Sequence, residues 1–237
     1  MINILTKFRN LSIKIRKRMS RRIYISIGEN CLPDHILNRY QLKSYATPFS
    51  HARSNVEYLL SMERDQYRDF LNTEFLAQED LNGSKVVRHK KYREISNRYH
   101  DLHMKGFEFT HHDIVGNPIL IDTFARRLVH LRQDKSKEYW LFYHHRSCPY
   151  TDFGRLLADL STLREYYSFK YRSQVVLFRQ ILTDQLLSRK LVYTLSDGIH
   201  IFDFYTLKIW EGSDTEILWA RCDEDLIQQM MNIVRKI

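Results

Sequence analysis

The stretch IYISIGENCLPDHILNRY, residues 23–40, constrains the chain more than any other. The apolar run Ile23 to Ile27 reads as a buried strand, it breaks at Gly28, and from Leu32 the pattern turns helical with Ile36, Leu37 and Tyr40 inward. A buried strand that feeds a helix within a few residues is the opening of an α/β layer arrangement. The same turn sets Cys31 just ahead of Pro33, where the helix should begin.

The rest of the chain repeats that alternation. Helical spacing predicts helices over Leu32–Leu42, Val56–Leu71, Ile119–Arg132, Phe153–Tyr166, Ile181–Leu187 and Asp223–Val234. Strands are expected at Phe107–Phe109, EYWLFYHH, SQVVLF and the closing pair KLVYTL and HIFDFY around Ser196–Gly198. SYATPFSHARS reads as a connecting loop, LNGSKVV as a turn, Gly116–Pro118 as a stop, and Val86–Tyr99 follows neither period. Strands alternating with helices predict an α/β fold around one central sheet flanked by helices, with α+β as the alternative. With 237 residues the chain has room for one large core, and 43% hydrophobic residues place it among folded globular proteins.

The net charge of +9 resembles a nucleic-acid signal until its location is checked. Residues 1–22 hold Lys7, Arg9, Lys14, Arg16, Lys17, Arg18, Arg21 and Arg22 and no acid, which leaves 29 basic against 28 acidic residues elsewhere. The excess is an arm, residues 1–22, preceding a single domain, residues 23–237. In that arm Ile4, Phe8, Leu11, Ile15 and Met19 share one helical face among basic residues, the pattern of a helix lying on an anionic membrane surface. A solvated chain end is the plainer reading, and nucleic-acid contact ranks third. No apolar run reaches the length of a membrane span, and three cysteines are too few for a disulfide framework. The expected location is the cytoplasm, with the arm peripheral on the inner membrane face.

A thiol at a helix N-terminus has a reason to be reactive. Free amides and the helix dipole favour the thiolate, so Cys31 is expected to have a lowered pKa. The plainer reading is a buried packing cysteine. A nucleophile needs a base, and FTHHDIV puts His111 and His112 beside Asp113, with Asp122 also near enough in sequence to orient an imidazole. Strand alternation lets only one of the two rings face with Phe107 and Phe109. A rival grouping, FYHHRSCPYTDF, joins His144, His145, Cys148 and Asp152, but neighbours diverge too much to act as nucleophile and base. The four histidines of the two doublets also form a weak metal pattern; HExxH and CxxC spacings are missing, and no metal is expected. GxSxG, GxGxxG and GxxxxGK[ST] are missing too, which removes the usual marks of serine hydrolases, dinucleotide enzymes and P-loop NTPases.

The segments ISIGENCLPDHILNRYQLKSYATPF, FEFTHHD and YWLFYHHRS together resemble the bacterial family of "putative papain-like cysteine peptidases" of unknown function. Its pattern is a strand, S-[IL]-G-x-x-C, a helix, S-x-P-F-D-W, then F-x-H-D and an arginine. The resemblance implies a papain-like thiol arrangement with Cys31 as nucleophile, His112 as base, His111 as the alternative base, and Asp113 as orienter. Where the family carries Asp-Trp, this chain carries Ser50-His51. A related group turns a similar arrangement to acetyl transfer in capsular polysaccharide synthesis with coenzyme A as donor. By that likeness Cys31 would take an acyl group from acetyl-coenzyme A and pass it to the sugar hydroxyl of a glycan or lipid-linked glycan. The Cys31 amide and the Asn30 side chain would then serve the oxyanion, and Arg126, Arg127 and Arg146 the coenzyme phosphates. A cysteine peptidase or other thiol hydrolase, and a non-catalytic glycan-assembly or glycan-binding protein, are the alternatives.

Overall fold

The apolar strand of the opening motif becomes the edge of a sheet. The computed structural model describes residues 21–81, 84–93, 106–147, 151–209 and 222–237. In chain order the elements are β1 (Arg22–Ser26), α1 (Leu32–Arg39), α2 (Val56–Arg64), β2 (Leu76–Leu81), β3 (Ser84–His89), β4 (Glu108–Phe109) and α3 (Pro118–His130). Then follow β5 (Glu138–His145), α4 (Phe153–Glu165), β6 (Gln174–Leu182), β7 (Lys190–Ser196), β8 (Ile199–Thr206) and α5 (Glu224–Lys236). The main sheet runs β1-β5-β6-β8-β7, parallel throughout except for β7, which closes it antiparallel to β8. A smaller antiparallel sheet holds β2, β3 and β4.

Period-two alternation explains why the main strands are apolar nearly throughout: both faces are covered. Ile23, Ile25 and Ile27 share one core with Tyr139, Leu141, Val175 and Leu177, packed against Val56 and Leu59 of α2 and Leu156 and Leu160 of α4. The opposite face sends Tyr24, Trp140, Phe142, Val176 and Phe178 against Leu32, Ile36 and Leu37 of α1 and Ile227, Met230 and Met231 of α5. Each fully buried side chain of this kind contributes about 1.5–3 kcal/mol. The mixed α/β architecture with a central sheet flanked by helices is the one expected.

Three elements differ from expectation. The helix expected to reach Leu71 stops at Arg64, because Gln66 and Tyr67 adopt positive φ angles of 56° and 59°, which no helix accommodates. No α-helix forms over Ile181–Leu187: β6 continues to Leu182, its register carried by pairing with β8, and only a short 3-10 turn, Leu186–Ser188, follows. β2 and β3 occupy a region where the residues showed only a turn and a stretch without period. The basic arm, apart from Arg21 and Arg22, lies outside the described residues, as does Cys148.

Candidate active site

Cys31 stands where β1 hands over to α1, at the carboxyl edge of the parallel sheet, the side on which such sheets bind ligands. Gly28 makes the exit possible. Its φ of +111° is open to glycine, and a Cβ there would meet the Ser54 Cβ at 3.5 Å. Backbone bonds then clamp the loop from both sides: Glu29 N–H reaches the His144 carbonyl at 3.4 Å, and Ser54 N–H donates to the Glu29 carbonyl at 2.9 Å.

Beneath the cysteine lies a satisfied polar layer. The carboxylate of Glu29, fully buried, accepts from Arg146 N–H at 2.7 Å and lies 3.3 Å from both Tyr143 Oη and His145 Nδ1. Asn30 Oδ1 accepts from Leu32 N–H at 3.0 Å, which turns its Nδ2 toward His144 Nδ1 at 2.9 Å. His144 therefore carries its proton on Nε2. Burial holds His144 neutral, its pKa lowered to about 3.

Cys31 caps α1 without a side-chain cap bond and is half-buried. The net effect at the helix terminus is not the lowered pKa expected of it. Burial raises it; the residue's own N–H opposes that, and the further rise from Asp34 is partly offset by Arg53. The reason is local: Leu32 N–H already serves Asn30, Pro33 has no N–H, and Asp34 brings a carboxylate into the first turn. The resting sulfur is a thiol.

Four imidazoles gather at this turn. A two-residue bridge pairs Arg53 with Glu108, N–H to carbonyl at 3.0 and 2.9 Å, and so lays the loop after α1 against the end of β4. His51 then sits with ring centroids 6.1 Å from His35, 6.4 Å from His111 and 6.1 Å from His112. Its Nε2 is 3.9 Å from Asp34 Oδ2, the carboxylate that also takes Lys43 Nζ at 2.7 Å. Burial lowers His51 to about 4 against the opposing pull of Asp34, with Lys43, His35 and His112 adding to the fall, and burial also lowers His111. Because β4 ends at Phe109, strand alternation does not separate the doublet: both His111 and His112 face His51.

His112 Nδ1 lies 2.6 Å from the His111 carbonyl, which can only accept, so Nδ1 bears the hydrogen and Nε2 is left with its lone pair. The ring rests edge-on against Phe124, centroids 5.3 Å apart. Asp113 is turned away from it. Asp113 Oδ1 accepts from Gly116 N–H at 2.9 Å and closes its own turn, so the backbone carbonyl holds the imidazole that Asp113 was expected to orient. Asp122 is exposed on α3.

The three arginines differ. Arg126 is exposed and donates to Thr123 Oγ1 at 3.2 Å. Arg127 lies over the Phe124 ring at 5.0 Å, half-buried, with its Nη1 unpaired; burial lowers its pKa and Asp34 opposes that. Arg146 leaves the end of β5 with its N–H on Glu29. His35, Asp34, His51 and Arg53 join the site without having been singled out as site residues. Only the Ser50-His51 departure from the family pattern hinted at one of them. Among the described residues no three His, Cys, Asp or Glu side chains are grouped to hold a metal ion. A groove lined by Leu182, Asp184, Lys190 and Tyr205 lies at the far side of the sheet, away from Cys31. Among the described residues no helix is long and apolar enough to cross a membrane.

A family model described as "Putative papain-like cysteine peptidase" matches residues 22–146, more than half of the chain and a span that holds Cys31 and all four of these histidines. No curated protein and no solved structure matches the chain.

Proposed function

The chain belongs to this "putative papain-like cysteine peptidase" family, and from that premise we propose that it is a thiol acyltransferase working through an acyl-enzyme at Cys31. The observation that carries the reading is one half-buried thiol at the carboxyl edge of the sheet, with Asp34 of its helix's first turn 3.9 Å from His51, whose ring lies 6.1 Å from that of His112, an imidazole whose Nε2 keeps its lone pair. Because burial keeps the sulfur protonated, attack and proton transfer are coupled. The Sγ proton passes to His112 Nε2 as the S–C bond forms; the bond from the acyl carbon to the donor's sulfur breaks, and the departing thiolate takes that proton. A sugar hydroxyl then gives its proton to Nε2, its oxygen attacks the thioester, and Sγ leaves and is reprotonated. The Cys31 N–H and the second Nδ2 hydrogen of Asn30 are the donors for the oxyanion.

The donor is a coenzyme A thioester, with the exposed Arg126 facing its phosphates and Arg146 at the end of β5 as the second basic residue for them. The acceptor is a glycan or lipid-linked glycan of surface polysaccharide synthesis. Residues 1–22 hold the enzyme against the anionic inner face of the membrane. Hydrolysis is the second reading, favoured by the family description: the cycle is the same with water as the acceptor. Incubation with acetyl-coenzyme A followed by intact-mass and peptide analysis is expected to find one acetyl group on Cys31, released by a glycan acceptor. Release by water alone, with cleavage of peptide substrates, selects the hydrolase. A Cys31→Ser variant with undiminished turnover ends both readings.

A further inference from the structure

The two edges of the main sheet end differently. Along β1 the chain caps its own edge: Ser44 N–H donates to the Tyr24 carbonyl at 2.9 Å, Tyr24 N–H to Ser44 Oγ at 2.9 Å, and Thr47 Oγ1 to the Ser26 carbonyl at 2.7 Å. On the opposite side β7 pairs with β8 alone among the described residues. Its sequence, KLVYTLS, holds no proline and one charge, so the usual protections of an open edge are few. Where β7 begins, the surface is apolar. Leu187, in the Leu186–Ser188 turn, is 99% exposed, more than any other large apolar side chain described, and Leu182, Leu186 and Leu207 are exposed with it. Beside this knob lies a groove of about 630 Å³, walled by Leu182, Leu207 and Tyr205 and flanked by Asp184 and Lys190.

Charge selects what fits there. Asp184 and Lys190 line the same groove, yet neither takes part in an ion pair among the described residues. Arg189 between them and the strand is already held by Asp223 at 2.8 Å and by Asp225. With Lys208 counted, the described cations and acids of this corner are equal in number, which suits neither a polyanion nor an anionic membrane. A surface that carries an apolar knob, an apolar groove and one unpaired charge of each sign is complementary to itself. Leu187 is midway along the chain between Asp184 and Lys190, so a two-fold axis near it sets each Asp184 against the partner's Lys190. We propose that this corner is the interface of a symmetric dimer, in which the Leu187 side chain of each copy sits in the groove of the other. The dimer goes beyond the thiol reading and does not depend on it. A patch of this size gives a reversible dimer rather than an obligate one.

Sedimentation velocity of the full-length protein from about 1 to 100 µM is the test, since small interfaces of this kind bind in that range. The expected result is a monomer–dimer equilibrium with dimer predominant at the upper end. Leu187→Asp, Asp184→Lys and Lys190→Asp should each raise the dissociation constant at least about tenfold. The double reversal, Asp184→Lys with Lys190→Asp, should return it to within about threefold of the parent, because the pair is restored with its signs exchanged. All three side chains lie on the surface, and unchanged melting temperatures will confirm that the variants fold. A monomer at every concentration overturns the proposal and leaves the corner to residues 210–221 or to another protein. A dimer that none of the single substitutions weakens uses a different face and overturns it as well. A double reversal no tighter than either single change refutes the two-fold arrangement.

Discussion

The chain carries two histidine doublets, His111–His112 and His144–His145, that look alike in sequence and have different surroundings in the structure. The second doublet lies within β5, where successive side chains point to opposite faces. His144 stacks on Phe178, centroids 5.1 Å apart, and meets Asn30; His145 meets Glu29 and Thr151. Both are buried. The first doublet lies just past β4, where no ladder separates the rings, and both stay in contact with solvent. A strand turns a pair of imidazoles into parts of the scaffold, and a turn leaves them available for chemistry. By this comparison His144 and His145 are positioning residues, holding Asn30 and Glu29 and through them the Cys31 loop.

The largest effect expected is from Cys31→Ser, with turnover falling at least about a thousandfold while the circular dichroism spectrum and melting temperature stay near those of the parent. His112→Ala should lower kcat by about a hundredfold or more, again with little change in melting temperature, because a half-exposed ring in a turn contributes little packing. His144→Ala reverses that pattern. Losing a fully buried ring leaves a cavity and an unpaired Asn30 amide, costing about 2–4 kcal/mol in urea unfolding. If His144→Ala unfolds normally, or His112→Ala melts early, the division between scaffold and chemistry is wrong.

The pH dependence of stability is a smaller effect on the same theme. Burial holds His144 neutral down to about pH 3 and His51 to about pH 4, whereas an unfolded histidine protonates near 6.5. Between those values the unfolded chain binds more protons. Stability is therefore complete above about pH 6.5 and falls as the pH drops toward 4. Urea midpoints measured across that range should decline with acid, and His144→Gln should flatten the decline. The smallest effect is assigned to Asp113→Asn, which keeps an acceptor for Gly116 N–H and should leave turnover within about threefold. A loss comparable to that of His112→Ala would return Asp113 to the orienting role.

Much of this was legible along the chain. The β1 strand, the helix after Cys31, β5 and the closing hairpin follow from local period and turn residues, which report on neighbours a few positions away. Val56–Leu71 was misjudged in length because positive φ at Gln66 and Tyr67 leaves no mark in hydrophobic spacing. β6 outran its apolar core because pairing with β8, not its own pattern, sets where it stops. Cys31 stood out as a candidate because it interrupts a strand-to-helix passage. His51 did not, because it lies in a loop with no period and meets its partners only through the Arg53–Glu108 bridge.

Sequence alone was enough for the class of fold and for singling out the cysteine at the strand-to-helix turn, since both depend on residues adjacent along the chain. Tertiary structure decided which imidazoles gather around His51, which are locked beneath the Cys31 loop, and that burial raises the pKa of the thiol. Those outcomes depend on burial and on charges brought together from segments dozens of residues apart, and no local pattern encodes the dielectric or the neighbours a side chain will meet.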